Sequence, residues 1–321
     1  MLSDGIHDGR PLRFAITDQL TATAGLRQTW EKKSGHFIGR KVSGPSLPPP
    51  LAANYDVRGS QKWDALTPRF ALDFQATPDA LVYASATRGF KSGGFQGIAG
   101  NGLSQQTPYD PEYAWSYEGG VKTQWLDKRL RLNLSVFQTD YKDLQVSQLV
   151  PLCCVVVGNA ATAEIKGAEL EFVATPFKGL QIDGSYGYLH ARFKSFANGA
   201  TANFTGNDLP RSPKDKLHLG VQYSADVEGW ELLGRVDYVN QSHMYFEASN
   251  IPTQKQEGYI NVDARVSLTS PDKQWEVAVW GKNLTDELVA TYVTAFAPYR
   301  QVLVPYAPPK TYGVTLIWKM Q

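Results

Sequence analysis

The sequence ends on a run of alternating residues, and this feature constrains the fold more than any other. From Thr311 to Trp318, apolar side chains alternate with small or polar ones almost to the C-terminus. A side-chain period of two is the pattern of a β-strand with two unlike faces. A soluble protein rarely leaves such a strand at an exposed edge, because a free edge invites aggregation. A closed membrane barrel ends this way, since its last strand pairs with its first.

The same alternation recurs along the whole chain, whereas helical periodicity is hard to find. Many of the alternating runs exceed the roughly 9–11 residues that cross a bilayer, so we expect them to project beyond it as hairpins. The pattern predicts an all-β fold, an antiparallel transmembrane β-barrel with about thirteen strands. The predicted strands cover residues 11–17, 20–34, 61–76, 80–92, 112–126, 129–147, 155–175, 180–196, 213–225, 230–247, 258–269, 274–285 and 310–319.

The predicted connections alternate between short and long. The tight turns fall near residues 17–18, 77–79, 126–128, 176–179, 226–229 and 271–273. The longer polar segments cover residues 35–60, 92–110, 148–158, 195–212, 246–257 and 286–308. Short periplasmic turns and long external loops are typical of outer-membrane barrels. Four tryptophans gather near the turns, as an interfacial girdle would: Trp125, Trp230, Trp275 and Trp318.

A soluble β-sandwich or propeller is the alternative for this pattern, since its strands also carry a polar and an apolar face. Propellers show a repeated blade motif, which is absent here, and their strands are usually short. No stretch approaches the roughly 18 consecutive apolar residues of a membrane helix. A membrane barrel escapes that test, because only every second residue faces lipid. With 32 basic and 31 acidic residues, the chain gives no reason to expect nucleic acid as a partner.

Five short motifs follow one another along the chain. They are YASATRGFKSGGF at 83–95, PE at 111–112 with SYEGGVK at 116–122, IKGAELE at 165–171, LPRSPK at 209–214 and KNLTDE at 282–287. In their order and spacing they resemble the C-terminal half of TonB-dependent outer-membrane receptors. The closing strand at 311–318 also resembles the segment that the barrel-assembly machinery reads. Three residues follow its last aromatic, which departs from the family pattern.

The resemblance implies a 22-stranded barrel, of which residues 1–321 would be one partial barrel domain. We expect neither a plug domain nor a signal peptide, because the first strand begins within about ten residues of Met1 and residues 1–8 lack basic and apolar regions. A complete barrel of 12 or 14 strands is the other possibility. The implied location is the bacterial outer membrane. The implied partners are its lipid, the assembly machinery, an unidentified small-molecule ligand, and TonB only through the missing N-terminal region.

The function implied by the resemblance is energy-coupled uptake of a scarce nutrient of the siderophore-iron, cobalamin, haem or glycan class. The alternatives are a passive pore, an adhesin-like barrel and a non-functional remnant. In this family, ligand contact comes from plug apices, external loops and upper lumen walls, which makes aromatic and basic loop residues candidates. An equal alternative is that these residues only pack the loops together. The candidates are Phe95, Tyr109, Tyr292, Phe296, Tyr299 and Arg300.

No residue pattern predicts an enzyme, a cofactor or a metal site. The five histidines are scattered and do not form a metal-ligand spacing, and no nucleophile elbow or nucleotide-binding loop is present. Cys153 and Cys154 are adjacent, where a disulfide is geometrically awkward. Glu169 and Glu171 lie two apart on a predicted strand and are expected to be lumen or structural charges and not a catalytic pair.

Alternation also assigns the two faces of the strand around residue 120. Glu118, Gly120 and Lys122 share the predicted lumen face, because charges on the lipid side cost about 2–4 kcal/mol for Arg or Lys at mid-depth. The opposite face, with Tyr117, Val121 and Trp125, is expected to contact lipid.

Overall fold

Long antiparallel β-strands build the molecule, as seen in a computed structural model of the chain. The structure describes residues 2–8, 11–40, 54–96, 106–150, 154–198, 202–296 and 301–319. Its strands are β1 (Leu2–Asp8), β2 (Leu12–Ala15), β3 (Leu20–Gly39), β4 (Tyr55–Thr77), β5 (Ala80–Lys91), β6 (Gly94–Phe95), β7 (Pro108–Tyr109), β8 (Glu112–Trp125), β9 (Leu130–Val150), β10 (Cys154–Ala174), β11 (Leu180–Asn198), β12 (Ala202–Asn203), β13 (Asp215–Val227), β14 (Trp230–Gln241), β15 (Met244–Tyr245), β16 (Lys255–Gln256), β17 (Tyr259–Thr269), β18 (Trp275–Lys282), β19 (Thr294–Phe296), β20 (Gln301–Leu303) and β21 (Thr311–Trp318). A short 3₁₀ helix spans Pro252–Gln254. Among the described residues, no helix is both long enough and apolar enough to cross a membrane.

Thirteen of the strands form one continuous antiparallel sheet. Its order is β1-β3-β4-β5-β8-β9-β10-β11-β13-β14-β17-β18-β21, so neighbours in the sheet follow one another along the chain. β2 pairs with β3 beside β1, and β12 pairs with β11. Three small hairpins, β6–β7, β15–β16 and β19–β20, stand apart from this sheet. The all-β antiparallel barrel wall predicted from the alternation is confirmed, and in the described residues its edges are β1 and β21.

The strands are longer than the alternation alone predicts. The ladder between β3 and β4 continues to Gly39 opposite Tyr55, and that between β9 and β10 continues to Val150 opposite Cys154. The predicted loops at 35–60 and 148–158 are therefore too long, because backbone pairing continues where side chains no longer have to alternate for lipid. The predicted strand at 11–17 is too short: β1 and β2 lie in one register against β3, from Leu2 onward.

One end of the sheet carries tight turns and the other carries long loops. These are called the turn end and the loop end. The turn between β13 and β14 places Glu228 and Gly229 at φ of 53° and 84°. Two successive residues with positive φ are typical of the type I′ turn, whose twist matches that of a hairpin. At Gly179, φ is +91° and an added Cβ would lie 2.2 Å from the carbonyl oxygen of Ser224. That turn therefore requires glycine.

The two faces of the sheet differ in chemistry. One cross-strand row on the outer face joins Leu232, Leu268, Val277 and Leu316, all of them exposed. An apolar row left open to the surroundings is what a lipid-facing wall requires. At the turn end of this face, the rings of Trp275 and Trp318 stack with centroids 5.7 Å apart. The four predicted girdle tryptophans lie at this end, on or beside the turns.

The inner face carries the charged residues. A corresponding row joins Asp183, Gly220, Asp237 and Asp263 across β11, β13, β14 and β17. The predicted faces of β8 follow the same division. Glu118 contacts the inward-facing Tyr83, whereas Tyr117 is 47% exposed on the other side.

Buried apolar side chains concentrate at the loop end. One cluster joins Ala161 and Ala163 of β10 to Phe193 and Phe196 of β11. Phe204, from the segment that follows β11, packs against it with its ring centroid 5.2 Å from that of Phe196. Since Ala163 and Phe193 face inward, this connection folds over the inner side of the wall. The loops thus form a second layer at the loop end.

Candidate ligand-binding site

Three connections at the loop end pack into one unit, which we call the loop platform: residues 202–214, 242–258, and 283–310 without the undescribed 297–300. Reciprocal polar contacts join the first two segments. The side chain of Asn250 accepts from the Asp208 amide at 2.7 Å and donates to the Asp208 carbonyl at 3.1 Å. Asn207 donates to the Ala248 carbonyl at 2.8 Å. Because these bonds satisfy backbone groups that a loop otherwise leaves to water, they hold the two segments in one arrangement.

The third segment is attached through a small apolar cluster. Phe246, Ala290 and Val293 are buried together. The Ala290 amide donates to the buried side chain of Gln256 at 2.7 Å. This contact crosses from the loop before β21 to the small strand β16. The platform therefore has its own core, separate from the apolar outer face of the wall.

The KNLTDE motif serves as the base of this third segment. Asn283 has a φ of 50°, and its side chain accepts from the Glu287 amide at 2.9 Å while donating to the Glu287 carbonyl at the same distance. The Thr285 hydroxyl donates to the Ile260 carbonyl at 2.7 Å, and Asp286 accepts from the Lys310 amide at 3.2 Å. The motif therefore fixes the two points at which the loop leaves the wall after β18 and returns to it before β21. Its contacts in this structure are structural.

Arg211 occupies the centre of the platform's aromatic group. Its guanidinium carbon lies 5.7 Å from the ring centroid of Phe246 and 5.5 Å from that of Tyr292. The two rings meet edge to face, with centroids 6.2 Å apart. The Tyr292 hydroxyl donates to Glu247 at 3.3 Å. An arginine against two aromatic faces is a favourable cation–π arrangement.

Lys255, the cation of β16, forms an ion pair. Its ammonium lies 2.8 Å from the carboxylate of Glu257. The hydrogen bond to Glu257 raises the pKa of Lys255, because the neighbouring carboxylate favours the charged form. This platform cation is therefore neutralised within its own segment.

Four of the six predicted ligand-contacting residues lie in the part of the chain that the structure describes. Tyr292 belongs to the platform, whereas Phe95 and Tyr109 belong to the hairpin β6–β7 near β3 and β4. Phe296 lies at the end of β19, opposite Gln301. Tyr299 and Arg300 lie outside the described residues.

Arg211 was not predicted from the sequence as a site residue. The signal that could have found it is its position between two prolines in LPRSPK.

Phe95 is a packed residue in this structure. It is 4% exposed, and its ring lies 5.9 Å from that of Phe37 and 6.3 Å from that of Trp63. The ammonium of Lys33 donates to the Gly93 carbonyl at 2.7 Å, and Gln96 forms a reciprocal pair with the Val157 backbone at 2.7 Å. The hairpin is thus fixed to β3, β4 and β10. The proposed ligand role of Phe95 and Tyr109 stays a prediction.

The inner wall below the loops carries linked polar groups. The Tyr83 hydroxyl donates to Glu118 at 2.6 Å, and the Lys122 ammonium lies 5.3 Å from the Tyr83 ring centroid. Arg235 bonds Asp183 through two nitrogens, at 3.0 and 3.1 Å. In the part of the chain that the structure describes, no group of three or more His, Cys, Asp or Glu side chains is placed to hold a metal ion.

Comparison with known proteins assigns this architecture to a family. The profile of the family described as "TonB dependent receptor-like, beta-barrel" matches residues 11–284. The chain belongs to the TonB-dependent receptor β-barrel family. The fold expected from the resemblance is therefore confirmed, and so is the family. The matched region covers both the charged inner wall and Arg211.

Two individual receptors extend the comparison. The chain is 31% identical over 175 residues to the metal-pseudopaline receptor CntO of Pseudomonas aeruginosa, covering 54% of this chain and 23% of the relative. It is 22% identical over 281 residues to the pesticin receptor of Yersinia pestis, covering 88% of this chain and 39% of the relative. The chain thus spans well under half the length of these curated relatives.

Two solved receptor structures share the fold. The ferric yersiniabactin uptake receptor FyuA of Yersinia pestis superposes with a TM-score of 0.84 at 21% identity, over 99% of this chain and 46% of that one. The siderophore receptor PiuA of Acinetobacter baumannii gives 0.74 at 20% identity, over 98% and 43%. At these identities the likeness shows the fold alone.

Proposed function

We propose that residues 1–321 form one partial barrel domain, the C-terminal part of the wall of an outer-membrane receptor that takes up a scarce nutrient as a small chelate. The observation that carries this proposal is the loop platform, a packed unit with its own core at the loop end of a two-faced wall. A passive pore would need only the wall and short connections. A platform held by Asn250, Gln256 and Asn283 is instead a pre-organised surface, as a binding site on a rigid scaffold requires.

Within the proposed class, metal chelates rank first. Matched relatives are called a metal-pseudopaline receptor and a ferric-pyoverdine receptor, and FyuA is called a ferric yersiniabactin uptake receptor. Cobalamin, haem and glycans are the other members of the nutrient class. The loop end would face the outside and the turn end the periplasm, which follows the usual placement of long loops and short turns.

The proposed partners follow from the same placement. Outer-membrane lipid would contact the apolar row of Leu232, Leu268, Val277 and Leu316. β21 would present its alternating face to the barrel-assembly machinery. Coupling to TonB would take place through parts of the receptor outside this wall segment.

A binding measurement tests the proposal. The chain would be refolded into detergent micelles, and quenching of its eight tryptophans would be followed on addition of iron(III) chelates of different chemistry. We expect saturable quenching by at least one iron(III) chelate. The corresponding metal-free chelators should give no quenching at the same concentration. Steady ion conductance in planar bilayers without saturable binding would replace the receptor proposal with a passive pore. Folding without either result would contradict both.

A further inference from the structure

Arg211 is held in one place by its backbone. Its φ of 58° lies in the left-handed region, which residues other than glycine adopt rarely. Its amide donates to the Tyr245 carbonyl at 2.7 Å, and prolines stand at positions 210 and 213. Backbone strain of this kind persists only where the surroundings over-determine it, and it concentrates at binding and switch sites. The side chain of Arg211 therefore leaves the chain from a fixed and strained point.

The two aromatic rings orient the guanidinium. Phe246 is 4% exposed and belongs to the platform core, so its ring cannot move far. Tyr292 is 37% exposed and is held by Glu247. Contacts with aromatic rings do not use up the N–H donors of a guanidinium, which stay available to an acceptor. Arg211 itself is exposed, so its donors are accessible.

The charge of Arg211 is not neutralised by the described residues. Among them, no carboxylate lies within ion-pairing distance of its guanidinium, and no side-chain hydrogen bond leaves it. Three acids of the platform have other partners: Glu247 accepts from the Tyr292 hydroxyl at 3.3 Å, Asp208 pairs with Arg192 at 3.0 Å and Glu257 with Lys255 at 2.8 Å. A pre-organised arginine with free donors is suited to a carboxylate or a similar planar oxyanion, which it can bind through two parallel bonds.

We propose that Arg211, backed by Phe246 and Tyr292, is a subsite for an anionic oxygen group of the chelate, and that it selects chelates with a net negative charge. The inference rests on the proposed function and adds the charge of the substrate to it. Tyr292 is the predicted ligand residue that this subsite includes. Glu247, hydrogen-bonded to Tyr292, would disfavour a second anionic group at that side of the ring.

Charge-matched probes and three variants test the subsite. The probes are iron(III) citrate, which is anionic, and a neutral iron(III) trihydroxamate, both titrated against tryptophan fluorescence in micelles. The variants are Arg211→Gln, Arg211→Lys and the matched control Arg40→Gln. Arg40 is also an exposed arginine at the loop end, but it lies outside the platform and its charge is paired with Asp56 at 3.7 Å.

We expect the wild-type chain to bind the anionic probe more tightly than the neutral one. Arg211→Gln should weaken the anionic probe by about tenfold or more, since it removes charge-assisted bonds, and should leave the neutral probe within about twofold. Arg211→Lys should keep the charge but lose the planar fork, giving an intermediate Kd. Added salt should weaken the anionic probe in the wild type and have little effect on Arg211→Gln.

Two outcomes overturn the inference and remain distinguishable. If the wild type binds both probes and Arg211→Gln changes them equally, or no more than Arg40→Gln does, the subsite is wrong and the receptor proposal stands. If no iron(III) chelate of any charge binds, the receptor proposal fails and the subsite falls with it. Heat-modifiable mobility on gels confirms that each variant is folded. Arg211→Lys serves as the test variant if Arg211→Gln does not fold.

Discussion

The side chain of Arg235 on β14 crosses β13 and binds Asp183 on β11, through two bonds of 3.0 and 3.1 Å. Gly220 on β13 leaves room for this contact because it has no side chain. A Cβ at position 220 would lie 2.4 Å from an Arg235 guanidinium nitrogen and 2.7 Å from an Asp183 oxygen. Arg235 also bonds Asp237, which His218 contacts at 3.1 Å. The inner wall thus contains a charge network three strands wide.

Replacing Gly220 should weaken this network. We expect Gly220→Ala to displace the guanidinium and to lower the free energy of unfolding by about 1–3 kcal/mol, the usual effect of breaking hydrogen bonds to charged groups. The control is Gly187→Ala on β11, where an added Cβ meets nothing within 4 Å. Urea unfolding in micelles, followed by tryptophan fluorescence, measures both. Equal stabilities for the two variants would show that the bridge contributes nothing.

The assignment of faces can be tested by one substitution made twice. Val279 is 58% exposed on the apolar outer face, between Val266 and Val314. We expect Val279→Lys to destabilise the chain in lipid vesicles by about 2–4 kcal/mol, because an ammonium on the lipid side has to be desolvated.

Val173→Lys is the matched control for Val279→Lys. Val173 faces inward between Arg131 and Asp183, so a lysine there has a carboxylate neighbour. The cost should be well under that of Val279→Lys. If the inward variant were the more destabilising of the two, the faces would be assigned the wrong way round.

Phe95 offers a test that separates packing from ligand contact. Phe95→Ala should free the hairpin β6–β7 from Trp63 and Phe37, so limited proteolysis should cut the segment near residue 95 markedly faster. Phe95→Leu should keep most of the protection. If both variants stayed protected while chelate binding fell, the residue would be a ligand contact, as predicted from the sequence.

The turn before β18 should give the chain a pH-dependent increment of stability. Asp272 accepts from the Ser270 hydroxyl at 2.5 Å and from the Gln274 amide at 3.1 Å. These bonds, that from Ser270 foremost, lower the pKa of Asp272 below its ordinary value of 3.8. A group with a lowered folded-state pKa stabilises the fold above its unfolded pKa and loses that effect as pH falls through the folded value.

The variant that tests this turn is Asp272→Ala. The Tm of the wild type should exceed that of the variant at pH 7, and the gap should close as the pH falls below 3.8. Thermal unfolding in micelles across that range measures it. The control is Asp226→Ala, made in the turn between β13 and β14. A gap that stayed constant with pH would show that the carboxylate charge is not responsible.

The sequence predicts the wall well because lipid imposes the pattern. Every strand of the main sheet from β3 onward overlaps a predicted one, since side chains have to alternate wherever one face meets an apolar medium. The alternation did not predict β1, because this strand lacks the pattern that contact with an apolar medium imposes. Residues 2–8 show no such alternation, and only pairing with β3 makes them a strand.

The site was less predictable because it depends on residues far apart in the chain. Arg211, Phe246 and Tyr292 come from three separate loops, and the aromatic content of a loop does not reveal which ring meets which cation. Likewise, Asp183 and Arg235 are 52 residues apart, and their contact depends on the register of β13 between them. Alternation gives the face of a residue but not its cross-strand neighbour.

The two edges of the wall run the same way. The thirteen strands of the main sheet in the described residues alternate in direction, so β1 and β21 both run from the loop end to the turn end. Direct closure of one edge onto the other would be a parallel pair, and a second copy inserted in the same orientation would offer only the same parallel choice. Any antiparallel closure of this wall has to insert an odd number of strands, the first and last of which rise toward the loop end. The odd number of strands in this wall therefore determines that only an odd number of further strands can close it as an antiparallel barrel.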